Sequence, residues 1–259
     1  MKTNSLGFIG GGRITKIILQ AFENSGITFG KIVVADTNVE VLNALKQKFP
    51  KIIVTTDNLK EVMLNEVVFI ALHPPVLMDT LAKVKDFVTK DSVLVSLAPK
   101  LTIEKMAAVL GGSPNIARMN PSASAIVNKG VNPITFSANM QVDVKNKLLE
   151  LMRSLGSTPV VEEPKIEAYA VIAAMGHTYY FFQFQKLKEL AISFGMNEHE
   201  AQTAITEMLG GTMETLFHSG LSYTEVADLV PVKPMGEVEE TIKGFYEQYL
   251  NGIYNKIKP

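Results

Sequence analysis

Short apolar runs alternate with stretches of helical spacing over roughly the first 160 residues. Leu6–Ile9, Lys31–Ala35 (KIVVA), Ile52–Thr55, Val67–Leu72 (VVFIAL), Ser92–Leu97 (SVLVSL), Asn115–Met119, Ile134–Phe136 and Pro159–Val161 read as strands. Helices are predicted from Arg13 onward, over Glu40–Lys48, Leu59–Leu64, Pro75–Val88, Thr102–Leu110 (capped by Thr102) and Val142–Leu155. A continuous apolar run such as Val67–Leu72 suits a strand covered on both faces. Regular βαβ alternation predicts a doubly wound parallel sheet of Rossmann type, and hence an α/β fold.

The pattern changes near Glu162-Glu163-Pro164. Beyond it only helical spacing is found, over Ile166–Gly195, Glu198–Ser219, Thr224–Leu229 and Glu237–Lys256. Two domains are therefore expected, an α/β domain over 1–162 and an all-α domain over 163–259. In the second helix Ala201, Ile205, Met208, Leu209, Thr212, Met213 and Leu216 recur at three- and four-residue steps, which predicts one buried stripe. The stretch Ala168–Met175 is apolar around most of its circumference and has to be enclosed on all sides. So short a helical domain offers too few neighbours for that, which implies a homodimer with interlocking helical domains.

Composition narrows the classes. The chain has 259 residues, 47% hydrophobic and 20% charged, as a packed soluble protein requires. A formal net charge of −1 leaves no basic surplus for nucleic acid. With no cysteine there is no disulfide, thiolate nucleophile or cysteine-ligated zinc. No apolar run approaches the ~20 residues of a membrane span, and the short, glycine-broken N-terminal run is no signal peptide. A cytoplasmic protein is expected.

The most specific local pattern is Leu6-Gly7-Phe8-Ile9-Gly10-Gly11-Gly12-Arg13-Ile14-Thr15. A strand turning through glycines into a helix is how dinucleotide-binding domains begin. Gly10 permits the tight turn, Gly12 allows close backbone approach, and the amides of the next helix, at Arg13 and Ile14, can hold a pyrophosphate. Arg13 could add charge there or face solvent. Thr15 occupies the third small position of G-x-G-x-x-G/A and should loosen the helix–strand contact. Asp36 closes the second strand at the spacing of an acid that accepts from ribose hydroxyls, although a helix cap or turn is the plainer role. With Thr37 and Asn38 following, rather than a cation, the pattern leans toward NAD, although Thr37, Asn38 and backbone donors could still meet the 2′-phosphate of NADP.

Over essentially its whole length the chain resembles the pyrroline-5-carboxylate reductases, which reduce a cyclic imine to proline. FIGGGRITKIIL is similar to that family's FIG-x-G-N-M-A, and TTDNLKEVMLNEVVFIALHPP to its stretch ending in the A-V-K-P loop. By that resemblance Asn58, Ala71, Leu72, His73 and Pro74 line the cofactor, with His73 where the family has Lys. ARMNPSASAIVNKGV is similar to R-V-M-P-N-T-P-A-L-V-G-E-G-V; Arg118, Pro121 and Gly130 are retained, and Ser122 replaces Asn. AAMGHTYYFF resembles G-S-G-P-A-Y-x-F. The resemblance implies a helical dimerisation domain, an NAD(P)H cofactor and a small imine substrate. It fails at the substrate loop: S-P-G-G-T-T is replaced by Lys233-Pro234-Met235-Gly236-Glu237-Val238, where only Pro234 and Gly236 survive and Val238 has no hydroxyl.

Hydride chemistry belongs to the cofactor, and the protein supplies orientation and a proton. His177 is the first candidate donor, because histidine titrates near neutrality; it reads equally as a histidine of a dimer core. Tyr179 could donate its phenolic proton or simply pack. Lys233 could hold a substrate carboxylate, or be a solvated loop lysine. Ser122, Ser124 and Gly236 are substrate-binding candidates, with capping the duller role for the serines. His199 and His218 have no partner at ligand spacing, so no metal is expected. Two functions follow: an NAD(P)H-dependent reductase of pyrroline-5-carboxylate or another imine or oxo acid, or a non-catalytic dinucleotide-binding sensor on the same fold.

Overall fold

The structure, a computed structural model, describes residues 3–112 and 115–259. Strands β1 (Ser5–Ile9), β2 (Lys31–Ala35), β3 (Ile53–Thr55), β4 (Val67–Ile70), β5 (Val93–Ser96) and β6 (Asn115–Met119) pair in parallel. The short β7 is Gly130–Val131, and β8 (Ile134–Phe136) lies antiparallel to β6. β9 (Gly156–Ser157) pairs with β7 outside the main sheet. The main sheet runs β3-β2-β1-β4-β5-β6-β8, so strand order reverses between β1 and β4. That is the switch point of a doubly wound sheet, at whose carboxyl edge ligands bind.

Side chains of a strand alternate between faces, and here both faces are covered. Leu6, Phe8, Val34, Phe69, Val95 and Met119 enter one apolar layer, with Phe8 and Phe69 stacked at 4.8 Å between centroids. Ile9, Val33, Val68, Ile70, Leu94 and Ile116 enter the other. The helices supply the opposing surfaces: α1 (Arg13–Asn24), α2 (Val39–Lys48), α3 (Leu59–Met63), α4 (Pro74–Val84), α5 (Ile103–Val109) and α6 (Val142–Met152). Thr102 caps α5 as predicted, its hydroxyl accepting from the Lys105 amide at 3.3 Å. Pro159–Val161 does not form a strand. Ile134 reaches it by a single bridge to Val160, and Pro159, lacking an N–H, cannot extend a ladder.

The chain divides into two compact units. One reaches to Met175 and also takes in Ile253–Pro259; the other is Gly176–Gly252. The helix expected over Ile166–Gly195 is interrupted: α7 (Ile166–Tyr169) runs into a π-turn at Ala170–Ala174, and α8 (His177–Ser193) follows. The second unit holds α8, α9 (Glu198–His218), α10 (Tyr223–Asp228) and the start of α11 (Glu239–Ile257). Of the apolar stripe on α9 only Ala201 is buried within one chain, and Met208 and Met213 stay about half exposed. The stripe is regular but uncovered, because so few helices cannot surround it. Among the described residues no helix is long and apolar enough to cross a membrane.

Candidate functional site

At the carboxyl edge of β1 the chain has to turn sharply between two neighbouring strands. Gly10 takes φ +105° and donates its N–H to the Ala35 carbonyl at 2.7 Å, while the Ala71 amide donates to the Ile9 carbonyl at 2.8 Å. A Cβ on Gly10 would run into the Ala71 carbonyl oxygen. The turn thus needs glycine both for its backbone region and for lack of space. Thr15 corrects the expectation of a looser contact. It is fully buried, and its hydroxyl donates to the Gly10 carbonyl at 2.6 Å, tying helix to turn.

Gly12 is different. It is exposed, stands at the N-cap of α1, and a Cβ there would meet nothing within 4 Å. No side chain caps α1, and its first turn carries no acid. The orphan N–H groups of a helix start need acceptors, and here they face open space beside a residue without a side chain. A pyrophosphate fits that cradle by charge and by shape. Arg13 is exposed beside it and Ile14 is half-buried.

Asp36 lies at the end of β2, next to this turn. Its carboxylate accepts from the Gly11 amide at 2.7 Å through Oδ2 and from the Asn38 amide at 2.8 Å through Oδ1. The side chain therefore braces the glycine turn directly, and each oxygen keeps a lone pair for another donor. Asn38, not Asp36, caps α2. Asn58 caps α3, accepting from the Glu61 amide at 3.2 Å, and is exposed. Ala71, Leu72, His73 and Pro74 lead from β4 into α4, with His73 exposed at an N-cap that has no side-chain bond. Gly10, Gly11, Asp36 and Ala71 are thus brought together at the switch point.

Ser122 and Ser124 follow β6 at the same edge. Ser122 is buried, its amide donates to Asn132 Oδ1 at 2.9 Å, and the two serine hydroxyls lie 3.0 Å apart. Ser124 donates to the Lys129 carbonyl at 2.9 Å, which is a turn-forming role.

One charged cluster at this edge escaped the sequence reading. Arg118 on β6 is almost completely buried, and its guanidinium pairs with Glu163 at 2.9 Å and with the buried Glu167 of α7 at 2.5 Å. Glu163 Oε1 also accepts from the Ile103 amide at 2.8 Å, and Glu167 Oε1 from the Lys100 amide at 3.3 Å. The cluster locks the loop after β5 to β6 and α7. Its sequence signal is a single charged residue in the strand Asn115–Met119, followed by two acids four residues apart just beyond the sheet. A cavity of about 510 Å3 lies at the opposite, amino ends of β4, β5 and β6, lined by Val67, Val93 and Asn115 among others, far from the ligand edge of such a sheet.

The remaining candidates lie in the second unit. His177 begins α8 and stacks on Phe181 at 5.8 Å between centroids. Tyr179 meets Tyr246 edge-on at 6.1 Å; burial, then repulsion from Tyr246, pushes its hydroxyl above the usual phenol range. It therefore keeps its proton at neutral pH. Lys233 and Gly236 share an exposed turn in which the Gly236 amide donates to the Lys233 carbonyl at 3.0 Å. Among the described residues no three His, Cys, Asp or Glu side chains gather as metal ligands.

Known proteins agree with this architecture. Residues 5–100 match the family described as NADP oxidoreductase coenzyme F420-dependent. The pyrroline-5-carboxylate reductase of Escherichia coli (strain K12) is 26% identical over 245 residues, covering 94% of this chain and 90% of that protein. A solved 1-pyrroline-5-carboxylate reductase from Streptococcus pyogenes superposes with a TM-score of 0.80 at 16% identity, covering 98% of both chains. The Plasmodium falciparum pyrroline carboxylate reductase, solved with NADP bound, gives 0.78 at 16% identity, covering 99% of this chain and 96% of that one. These structures share the fold, and the resemblance read from the motifs extends over nearly the whole chain.

Proposed function

We propose that this chain is an NAD(P)H-dependent reductase of a small cyclic imine, with pyrroline-5-carboxylate as substrate and proline as product. The observation that carries the reading is the uncapped helix start at Gly12, set against the tight Gly10 turn and the Asp36 carboxylate. The nicotinamide, when bound, supplies the hydride to the imine carbon. The chain's own residues do the rest. The amides of the Gly12–Thr15 turn, helped by Arg13 and Ile14, hold the pyrophosphate. Asp36 accepts from the adenosine ribose, and its charge disfavours a 2′-phosphate, so NADH is preferred over NADPH. Asn58, Ala71, Leu72, His73 and Pro74 continue the cofactor-binding edge.

Reduction of a C=N bond adds a proton to nitrogen, for which Tyr179 and His177 are the donors. Lys233 holds the substrate carboxylate in place of the family's hydroxyl-rich loop, with the Gly236 backbone beside it; Ser122 and Ser124 contact the substrate or the nicotinamide amide. The helical region beyond residue 162 serves as the dimerisation and substrate domain. Large apolar side chains stand exposed across it, including Phe182, Phe194, Phe217 and Phe245, and a second copy of the chain covers them. We place the protein in the cytoplasm, where a chain free of cysteine faces no redox constraint.

A non-catalytic dinucleotide sensor is the second reading, and the substrate loop favours it: Val238 has no proton or lone pair to offer and is exposed. Steady-state oxidation of NADH and NADPH in the presence of pyrroline-5-carboxylate decides between them. Turnover is expected; binding of nucleotide without turnover, over a panel of imines and oxo acids, selects the sensor.

A further inference from the structure

Three buried side-chain atoms among the described residues have no hydrogen-bond partner: Arg118 Nε, Asn120 Nδ2 and Glu167 Oε2. All belong to one place, the carboxyl edge of β5 and β6 where α7 packs. Buried orphans cost about 1–3 kcal/mol each and normally mark a partner that the protein atoms do not supply. Asn120 and Glu167 line the same small cavity, whose other walls are Leu97, Ala98, Pro99, Met119, Ile166 and Ala170. The cavity is thus bordered by one residue with an unmet donor and one with an unmet acceptor, and its other lining residues are apolar.

The occupant has to accept from an amide, donate to a carboxylate and be very small. Space for the centre of a water molecule amounts to about 10 Å3, close to the roughly 10–15 Å3 that one water needs on this measure. We propose that the cavity is a binding site for a single water molecule, held between Asn120 Nδ2 and Glu167 Oε2. No ion fits: a cation would leave the amide donor unmet, and an anion would face the carboxylate. Asn120 is a feature of this chain, since it stands where the resembling pattern R-V-M-P-N has methionine. An apolar side chain there would leave the carboxylate without a bridge. The water completes the bonding of Glu167, whose other oxygen is already shared by Arg118 and the Lys100 amide. Asn120 is thereby a positioning residue for the two loops after β5 and β6. The inference is independent of the proposed reductase activity.

A high-resolution crystal structure of the full chain, with water-relaxation dispersion in solution, tests it. One density peak within hydrogen-bond distance of both atoms is expected, and Asn120→Met should lose that peak and one long-lived water. Asn120→Ala removes the amide donor without filling the space, so the water should exchange faster than in the unsubstituted protein; this variant covers the case in which the methionine variant misfolds, and an unchanged exchange rate counts against the proposal. A dry cavity in the unsubstituted protein, or a long-lived water count unmoved by Asn120→Met, overturns the proposal.

Discussion

Replacing Arg118 by methionine removes the cation from the buried cluster while keeping an unbranched stem of similar reach. Arg118 and Glu167 are each 1% exposed, so the Glu167 carboxylate would be left in the interior with one protein donor, the Lys100 amide at 3.3 Å. Glu163, 28% exposed, can turn to solvent and contributes little to the loss. Breaking a buried pair from one side costs about 3–5 kcal/mol. The charge-assisted bond to Glu167 that vanishes accounts for about 1.5–3 kcal/mol of this, and the carboxylate left buried for the rest. At about 2–4 °C per kcal/mol for a unit of this size, the midpoint should fall by about 6–20 °C. Thermal and urea melts followed by circular dichroism measure it. The double variant Arg118→Met with Glu167→Met should recover most of the loss, because an apolar pair of like volume is often neutral against the ion pair. A single-variant loss below about 1 kcal/mol, the level of an exposed pair, would refute the reasoning, as would strict additivity of the two substitutions.

Three further outcomes follow from the glycine turn, Asp36 and two glutamates of the second unit. Gly10→Ala should destabilise the protein by at least about 1–2 kcal/mol from its left-handed backbone alone, whereas Gly12→Ala should leave the melt unchanged yet weaken NADH binding at least about tenfold, or about 1.4 kcal/mol, by calorimetry. Asp36→Ser should cut the preference for NADH over NADPH, read as the ratio of kcat/KM values, about tenfold; an unchanged ratio would remove Asp36 from nucleotide selection. Glu225 is held below the usual carboxylate range by the Ser222 backbone and hydroxyl bonds, and Glu189 by its bonds to Lys186 and Gln185. A depressed folded-state value means stability that is complete above the ordinary glutamate range and lost as pH falls through the lower, folded value. Acid melts of the helical unit should therefore soften below that range, and Glu225→Gln should flatten the response.

The sheet was legible because both its faces are covered: Val67–Ile70 is apolar at every position and Val93–Ser96 at every position but the last, and strands of that kind need no alternation to be recognised. The glycine turn was legible because steric demand at Gly10 and open space at Gly12 are both written as glycine. Thr15 was misjudged, since spacing alone does not tell a crowding side chain from one that hydrogen-bonds inward. The Arg118 cluster was missed because its members lie 45 and 49 residues apart and only folding brings them together. The stripe on α9 was read correctly as periodic but is not buried in one chain, because burial depends on what lies opposite.

The claim on which the rest stands is that the amides at the start of α1 hold a dinucleotide pyrophosphate. Calorimetric titration of the full chain with NADH, in parallel with its Gly12→Glu variant, tests it most directly. Saturable heat for the unsubstituted protein, abolished by a carboxylate placed in the cradle while the melting temperature is preserved, is the expected result. Equal binding by both proteins, or no heat from NADH or NADPH with either, would contradict it.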